Sequence, residues 1–256
     1  MGKPSRVGFW KRNGPAAWAA DWETDETTPG CEELVAGKKG TPLFALLFVL
    51  LMLVLINAGC TVLQPIETDA ISPGTVLFSD DFSSPPSGWG IWNRGGASVE
   101  YHGGGLRILI NEAQYDFWSV AGQKFADAVI EVDATKLAGP DDNDFGILCR
   151  YQDKDNFYML VTSSDGYYGI AKMKGGQYSM IGADQLQYSD SIIRGQATNR
   201  LRADCVGRDL RLTANGTLLM EARDTDFTSG DVGVLAGAYD EQGVDVLFDN
   251  FVVKKP

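Results

Sequence analysis

The chain has 256 residues, a formal net charge of -12, four cysteines and a single histidine. The length suffices for one domain with a full core, while the acidic balance argues against nucleic acid and against a polybasic grip on anionic lipid, both of which need a basic face. No CxxC pair is present for a zinc ribbon, and a His-based zinc site or a Ser-His-Asp triad would have to use His102, beside the turn-forming run Gly103-Gly104-Gly105.

Residues 1–37 have no apolar period and mix Trp10, Trp18 and Trp22 with an acidic run from Asp21 to Glu26. They are expected to be a disordered or mis-assigned extension. Translation from Val35 would give VAGKKGTPLF, an ordinary signal opening.

Residues 38–59 read as a signal peptide or membrane anchor. Lys38 and Lys39 precede the uninterrupted apolar run from Leu43 to Ile56, and Asn57-Ala58-Gly59-Cys60 follows it. A basic start, an apolar middle and a small-residue exit describe a secretory signal helix. The exit resembles the lipobox of bacterial lipoproteins, in which the cysteine is lipidated and becomes the mature N-terminus. That resemblance makes Cys60 the lipidation site, although Asn57 stands where the family prefers an aliphatic residue. The alternative is an uncleaved span, for which Leu43 to Gly59 is at the short limit. In both cases the partner is the membrane and the rest of the chain lies on its extracytoplasmic face. Residues 60–75 are polar, carry Pro65 and Pro73, and read as a flexible tether.

From residue 76 to 256 the pattern has period two. Strands are expected at Leu106 to Ile110, Val129 to Ala134, Phe145 to Tyr151, Phe157 to Thr162, Tyr167 to Met173, Arg200 to Val206, Leu210 to Ala214, Leu218 to Ala222, Val232 to Ala238 and Val244 to Val253. Asp165-Gly166, Gly175-Gly176 and Asn215-Gly216 supply turns, the last a strong hairpin cue because both residues must take positive φ. Many short strands without a helical period mean an all-β sandwich or barrel. Cys149 shares a strand face with Phe145 and Ile147, and Cys205 with Leu201 and Ala203. Both faces read as inward, so a disulfide between them is expected in an oxidising compartment.

The opening VLFSDDFS, the middle DNDFGILCRYQDKDNFYMLV, the run NRLRADCVGRDLRLTANGTLLMEARD and the closing VLFDNFVV resemble concanavalin A-like (laminin G-like) jelly rolls. The resemblance implies a two-sheet antiparallel sandwich in which GILCRY pairs with FYMLV and the last strand returns beside the first. Within this group the sequence also resembles the 3-keto-disaccharide hydrolase domain. Such folds host lectins, hydrolases and adhesion domains alike, so activity must be argued from a site.

Glycoside hydrolases on this fold carry two glutamates on one strand as nucleophile and acid. Here Glu131 and Asp133 stand with Thr135 or Lys136 at the place of the second glutamate, so the reading is non-catalytic. The resemblance also implies a structural calcium ion where the first and last strands meet, with Asp80 or Asp81 and Asp249 offering the hard oxygen ligands; Asp141-Asp142-Asn143-Asp144 is a second cluster. The expected function is a carbohydrate-binding module, with a hydrolase or a protein-interaction domain as alternatives. Its candidate ligand residues are Tyr167, Tyr168, Trp118, Arg150 and Asn156: the rings come from a wider set that includes Trp89, Trp92, Tyr115, Tyr178 and Tyr239, and Arg150 and Asn156, with Asp153, flank the same hairpin as polar contacts. The adjacent tyrosines on one strand must face opposite sides.

Overall fold

The structure, a computed structural model, describes residues 7–11, 72–85 and 87–256. In chain order the strands are β1 (Val7–Lys11), β2 (Val76–Asp80), β3 (Trp92–Arg94), β4 (Ala97–His102), β5 (Gly105–Ile110), β6 (Tyr115–Phe125), β7 (Ala128–Ala138), β8 (Asn143–Asp153) and β9 (Asn156–Thr162). They continue as β10 (Tyr167–Lys174), β11 (Gln177–Met180), β12 (Gln187–Tyr188), β13 (Thr198–Val206), β14 (Asp209–Ala214), β15 (Thr217–Arg223), β16 (Gly230–Ala238) and β17 (Val244–Lys254). Among the described residues no helix is long and apolar enough to cross a membrane. The apolar run from Leu43 to Ile56, Cys60 and the tether lie outside the described residues.

Two antiparallel sheets form the sandwich. Among the described residues one has eight strands in the order β1-β6-β16-β8-β9-β10-β11, with β12 also on β10; the other has nine in the order β15-β14-β13-β7-β17-β5-β4-β3, with β2 also on β17. As the resemblance implied, β8 pairs with β9 and the closing β17 lies beside the opening β2. Strand β1 falls inside the stretch expected to lack structure, pairing Val7 with Ser119 and Lys11 with Tyr115 of β6.

Period two sets the inner faces. On β7, Ile130, Val132 and Ala134 are buried while Glu131, Asp133 and Thr135 are only partly so. Phe145 and Ile147 of β8 meet Leu201, Ala203 and Leu212 of the other sheet in one continuous core. Removing this apolar surface from water is the main driving force for closing the sandwich. The eight-stranded sheet also buries its other face, where Trp118, Leu148, Tyr151, Phe157 and Met159 form a second apolar cluster. Burial pushes the Tyr151 hydroxyl up to about 12.

Two local devices fix the ends. Asp80 accepts hydrogen bonds from the Phe82 amide at 2.8 Å and the Trp89 indole at 3.0 Å, which seats Trp89 against Phe251 and Phe82 against Trp89 in the core. Asn215 and Gly216 both take positive φ, 51° and 81°, as the hairpin from β14 to β15 demands. The expected bridge is present: Cys149 of β8 is bonded to Cys205 of β13, with Cα atoms 6.7 Å apart.

Candidate functional site

The five residues expected at a ligand surface do not come together. Tyr168 pairs with Thr162 at one end of the β9–β10 hairpin, whereas Asn156 pairs with Lys174 at the other, about 20 Å away along the strand. The Asn156 amide is committed to turns: Nδ2 donates to Asp153 and Oδ1 accepts the Gly175 amide.

Arg150 and Trp118 require correction. Arg150 is 2% exposed. It sits at the irregularity between β8 and β9 with φ 52°, which turns its side chain inward. Its guanidinium donates to the carbonyls of Ala126 and Phe227, at 3.0 and 2.9 Å, and reaches Asp127 at 3.2 Å. It therefore ties loops together and offers nothing to a ligand. Trp118 is 1% exposed and packs on Tyr151 and Phe157, because its strand is buried on both faces.

Tyr167 and Tyr168 do face opposite sides of β10. Tyr168 is half-buried against the main core, while Tyr167 is 42% exposed and lines a cleft of about 470 Å³ at the loop end of the eight-stranded sheet. Asp142, Ser163, Asp165, Gln185 and Tyr239 line the same cleft.

The walls of this cleft are built from turns stapled to each other. Asn143 is fully buried; its Nδ2 donates to the Pro140 carbonyl at 2.7 Å and to Ser164 Oγ at 3.0 Å, and its Oδ1 accepts the Ser164 amide. One side chain thus fixes the loop before β8 against the turn after β9. Within that turn the Ser163 hydroxyl accepts the Tyr167 amide at 2.8 Å and donates to Asp165. Gly166, at φ 101°, leaves the room that the Tyr188 ring occupies: a Cβ there would meet Tyr188 Cε2 at 2.8 Å. Tyr188 stands edge-on to Tyr167, with centroids 5.6 Å apart, and donates its hydroxyl to Asp190. That carboxylate raises the Tyr188 pKa.

The cleft therefore presents an exposed ring held at its edge by a second ring, a tyrosine on the facing loop, an amide and two carboxylates. Rings with a few convergent polar groups in a hollow of this size are what a small polar ligand with an apolar face requires. Asp165 and Gln185 were not among the expected site residues. Asp165 read only as a turn residue, and nothing in the sequence places Gln185 and Tyr239 beside it.

The other candidate residues hold the fold. Glu131 and Asp133 form an ion-pair lattice on the outer face of the nine-stranded sheet: Arg200 reaches both, at 3.0 and 3.2 Å, and Lys254 reaches Glu131 at 2.9 Å. Burial alone would raise the Glu131 pKa, but Lys254 and Arg200 outweigh it and hold the carboxyl low. His102 is exposed at the β4–β5 hairpin.

Asp81 accepts from the Ser83 amide and hydroxyl, and Asp249 from the Asn250 amide. Calcium takes six to eight oxygens. Among the described residues no three carboxylate, cysteine or histidine side chains converge to begin such a shell.

No family model matches the sequence, and no curated protein matches it. Solved structures do. The chain is similar to a carbohydrate-binding module, CBM66 from Bacillus subtilis, with TM-score 0.55 and 18% identity over 66% of this chain and 96% of the module. A Bacillus subtilis protein of unknown function with a galectin-like fold gives 0.53 and 14% over 72% and 97%. A Bacillus licheniformis β-glucanase gives 0.51 and 12% over 70% and 97%. At these identities the likeness establishes the fold alone, an all-β two-sheet jelly-roll sandwich.

Proposed function

We propose that residues 76–256 are a carbohydrate-binding module held at the extracytoplasmic face of the membrane by the segment that precedes them. The observation that carries the reading is the cleft in which Tyr167, braced by Tyr188, faces Tyr239 among Asp142, Asp165 and Gln185. A pyranose has one face of C–H groups and a rim of hydroxyls. The exposed tyrosine takes the first and the amide and carboxylates take the second. Fold neighbours that bind or cleave carbohydrate agree with this reading without carrying it.

The Cys149–Cys205 bridge favours an oxidising compartment, and Cys60 is the residue we assign to lipidation. A glycan array probed with the protein and with Tyr167→Ala tests the binding. Specific signals lost in the variant support it, and an array without any signal removes it.

The hydrolase reading retains one supporting observation, since Asp142 and Asp165 line the same cleft. Release of new reducing ends or of a keto-sugar from a bound glycan, abolished by Asp165→Asn, would establish it over the binding module.

A further inference from the structure

A second hollow, of about 700 Å³, opens beside the first. It lies where Tyr168 of β10 and Gln187 of β12 approach Leu219, Met220 and Glu221 of β15, so it sits at the mouth between the two sheets. The connection from Gly182 to Gln187 forms its rim, and Gln185 lines both hollows. Gly169 leaves room for the side chains that flank this connection. A Cβ there would meet Met180 Cε at 2.7 Å and Leu186 Cδ2 at 2.8 Å. The two hollows therefore adjoin along one edge of the sandwich. Tyr167 faces the first and its neighbour Tyr168 the second, because adjacent strand residues point to opposite faces.

Carboxylates predominate among the lining groups along this edge. Asp142 and Asp165 line the first hollow, Asp184 and Glu221 the second, and among the described residues no lysine or arginine lines either. Arg211 and Arg194 come close but are not lining residues: Arg211 is ion-paired with Glu221 at 3.2 Å, and the Arg194 stem approaches Gly166. A glycan bearing carboxylates or sulfates would bring like charge against these carboxylates, in a protein whose net charge is already -12.

We infer that the two hollows, which open on opposite faces of β10 and share Gln185, are adjoining subsites for a linear glycan without anionic groups that bends over the Gln185 connection. This inference rests on the carbohydrate-binding reading and adds to it the length and charge class of the ligand. Filling the second subsite is an intramolecular event for a chain already seated in the first, so affinity should rise with chain length until both are occupied.

The test is calorimetric binding of the full-length protein to oligosaccharides of β-glucan, xylan, mannan, levan, chitosan and polygalacturonate, from disaccharide to octasaccharide. The expected result is a best binder that is uncharged or cationic and gains about tenfold or more in affinity between the disaccharide and the hexasaccharide. Ala183→Trp, which obstructs the second hollow, should remove the gain and leave disaccharide binding intact. Gln187→Ala, at an exposed position, should reduce the gain and serves if the first variant does not fold. Affinity independent of length, a gain that survives both variants, or polygalacturonate as the best binder overturns this inference while leaving a carbohydrate-binding module. Absence of binding to every glycan overturns the functional reading itself, and this one with it.

Discussion

Cys149 and Cys205 are bonded to each other through the middle of the core, joining the eight-stranded sheet to the nine-stranded one across a sequence separation of 56 residues. Closing a loop of that length removes enough freedom from the unfolded chain to contribute about 4 kcal/mol. For a domain of this size each kcal/mol moves Tm by about 2–4 °C. Cys149→Ala/Cys205→Ala should therefore melt about 10 °C lower in differential scanning calorimetry, and reductant should lower the wild type by a similar amount and leave the double variant unmoved.

Arg150→Met should destabilise the domain by about 3 kcal/mol, read as a shifted urea midpoint. It strands the Ala126 and Phe227 carbonyls that the guanidinium now satisfies. Glycan affinity of the folded variant should be unchanged, because Arg150 lies at the far end of the sheet from Tyr167. Reduced affinity with normal stability would return Arg150 to the binding surface.

Tyr167→Ala should weaken glycan binding about tenfold or more while leaving Tm within about 2 °C, as expected for an exposed side chain that anchors a ligand. Tyr188→Ala should produce a smaller loss, since that ring braces Tyr167 at a centroid distance of 5.6 Å without lining the cleft. Isothermal titration with the best array ligand separates the two.

Acid should destabilise the domain through two carboxylates whose pKa values are held down. Burial works against Asp224, but hydrogen bonds from Lys172 and Tyr158 outweigh it; Glu131 is lowered in the same way by Lys254 and Arg200. Both folded values lie below the unfolded ones, so the stabilisation is complete at neutral pH and is lost as pH falls below about 4. Lys172, whose pKa is raised above 10.5, loses its contribution only in strong alkali. Urea midpoints should be flat from about pH 6 to 9 and fall steeply in acid. Asp224→Asn should lower the plateau by about 1–3 kcal/mol and shallow the acid limb.

The alternation of side chains along β7, β13 and β14 made the sandwich legible, because one face of each is wet. It failed for β6. Asp116 to Ala121 is buried on both faces, one toward the main core and one toward Tyr151 and Phe157, so no wet–dry period marks it. At the site, Tyr167 was legible because two adjacent tyrosines cannot share a face. Asn156 and Arg150 read as its partners because they flank the same hairpin, yet antiparallel pairing sends them to its opposite end. Asp142, Gln185 and Tyr239 reach Tyr167 from separate connections, and only the order of strands in the sheet brings those connections together.

Strand β1 has a bearing on maturation. Its backbone is hydrogen-bonded along β6, and Trp10 stacks on Tyr178 of β11 with ring centroids 5.5 Å apart. It also lies upstream of Ala58-Gly59-Cys60. Scission at that point would discard the border strand together with the leader. A mature lipoprotein would then carry β6 with a bare row of amides and carbonyls along its outer side, ready to accept a guest strand from another molecule. Keeping β1 and being cleaved before Cys60, as proposed above, would be mutually exclusive fates for one polypeptide.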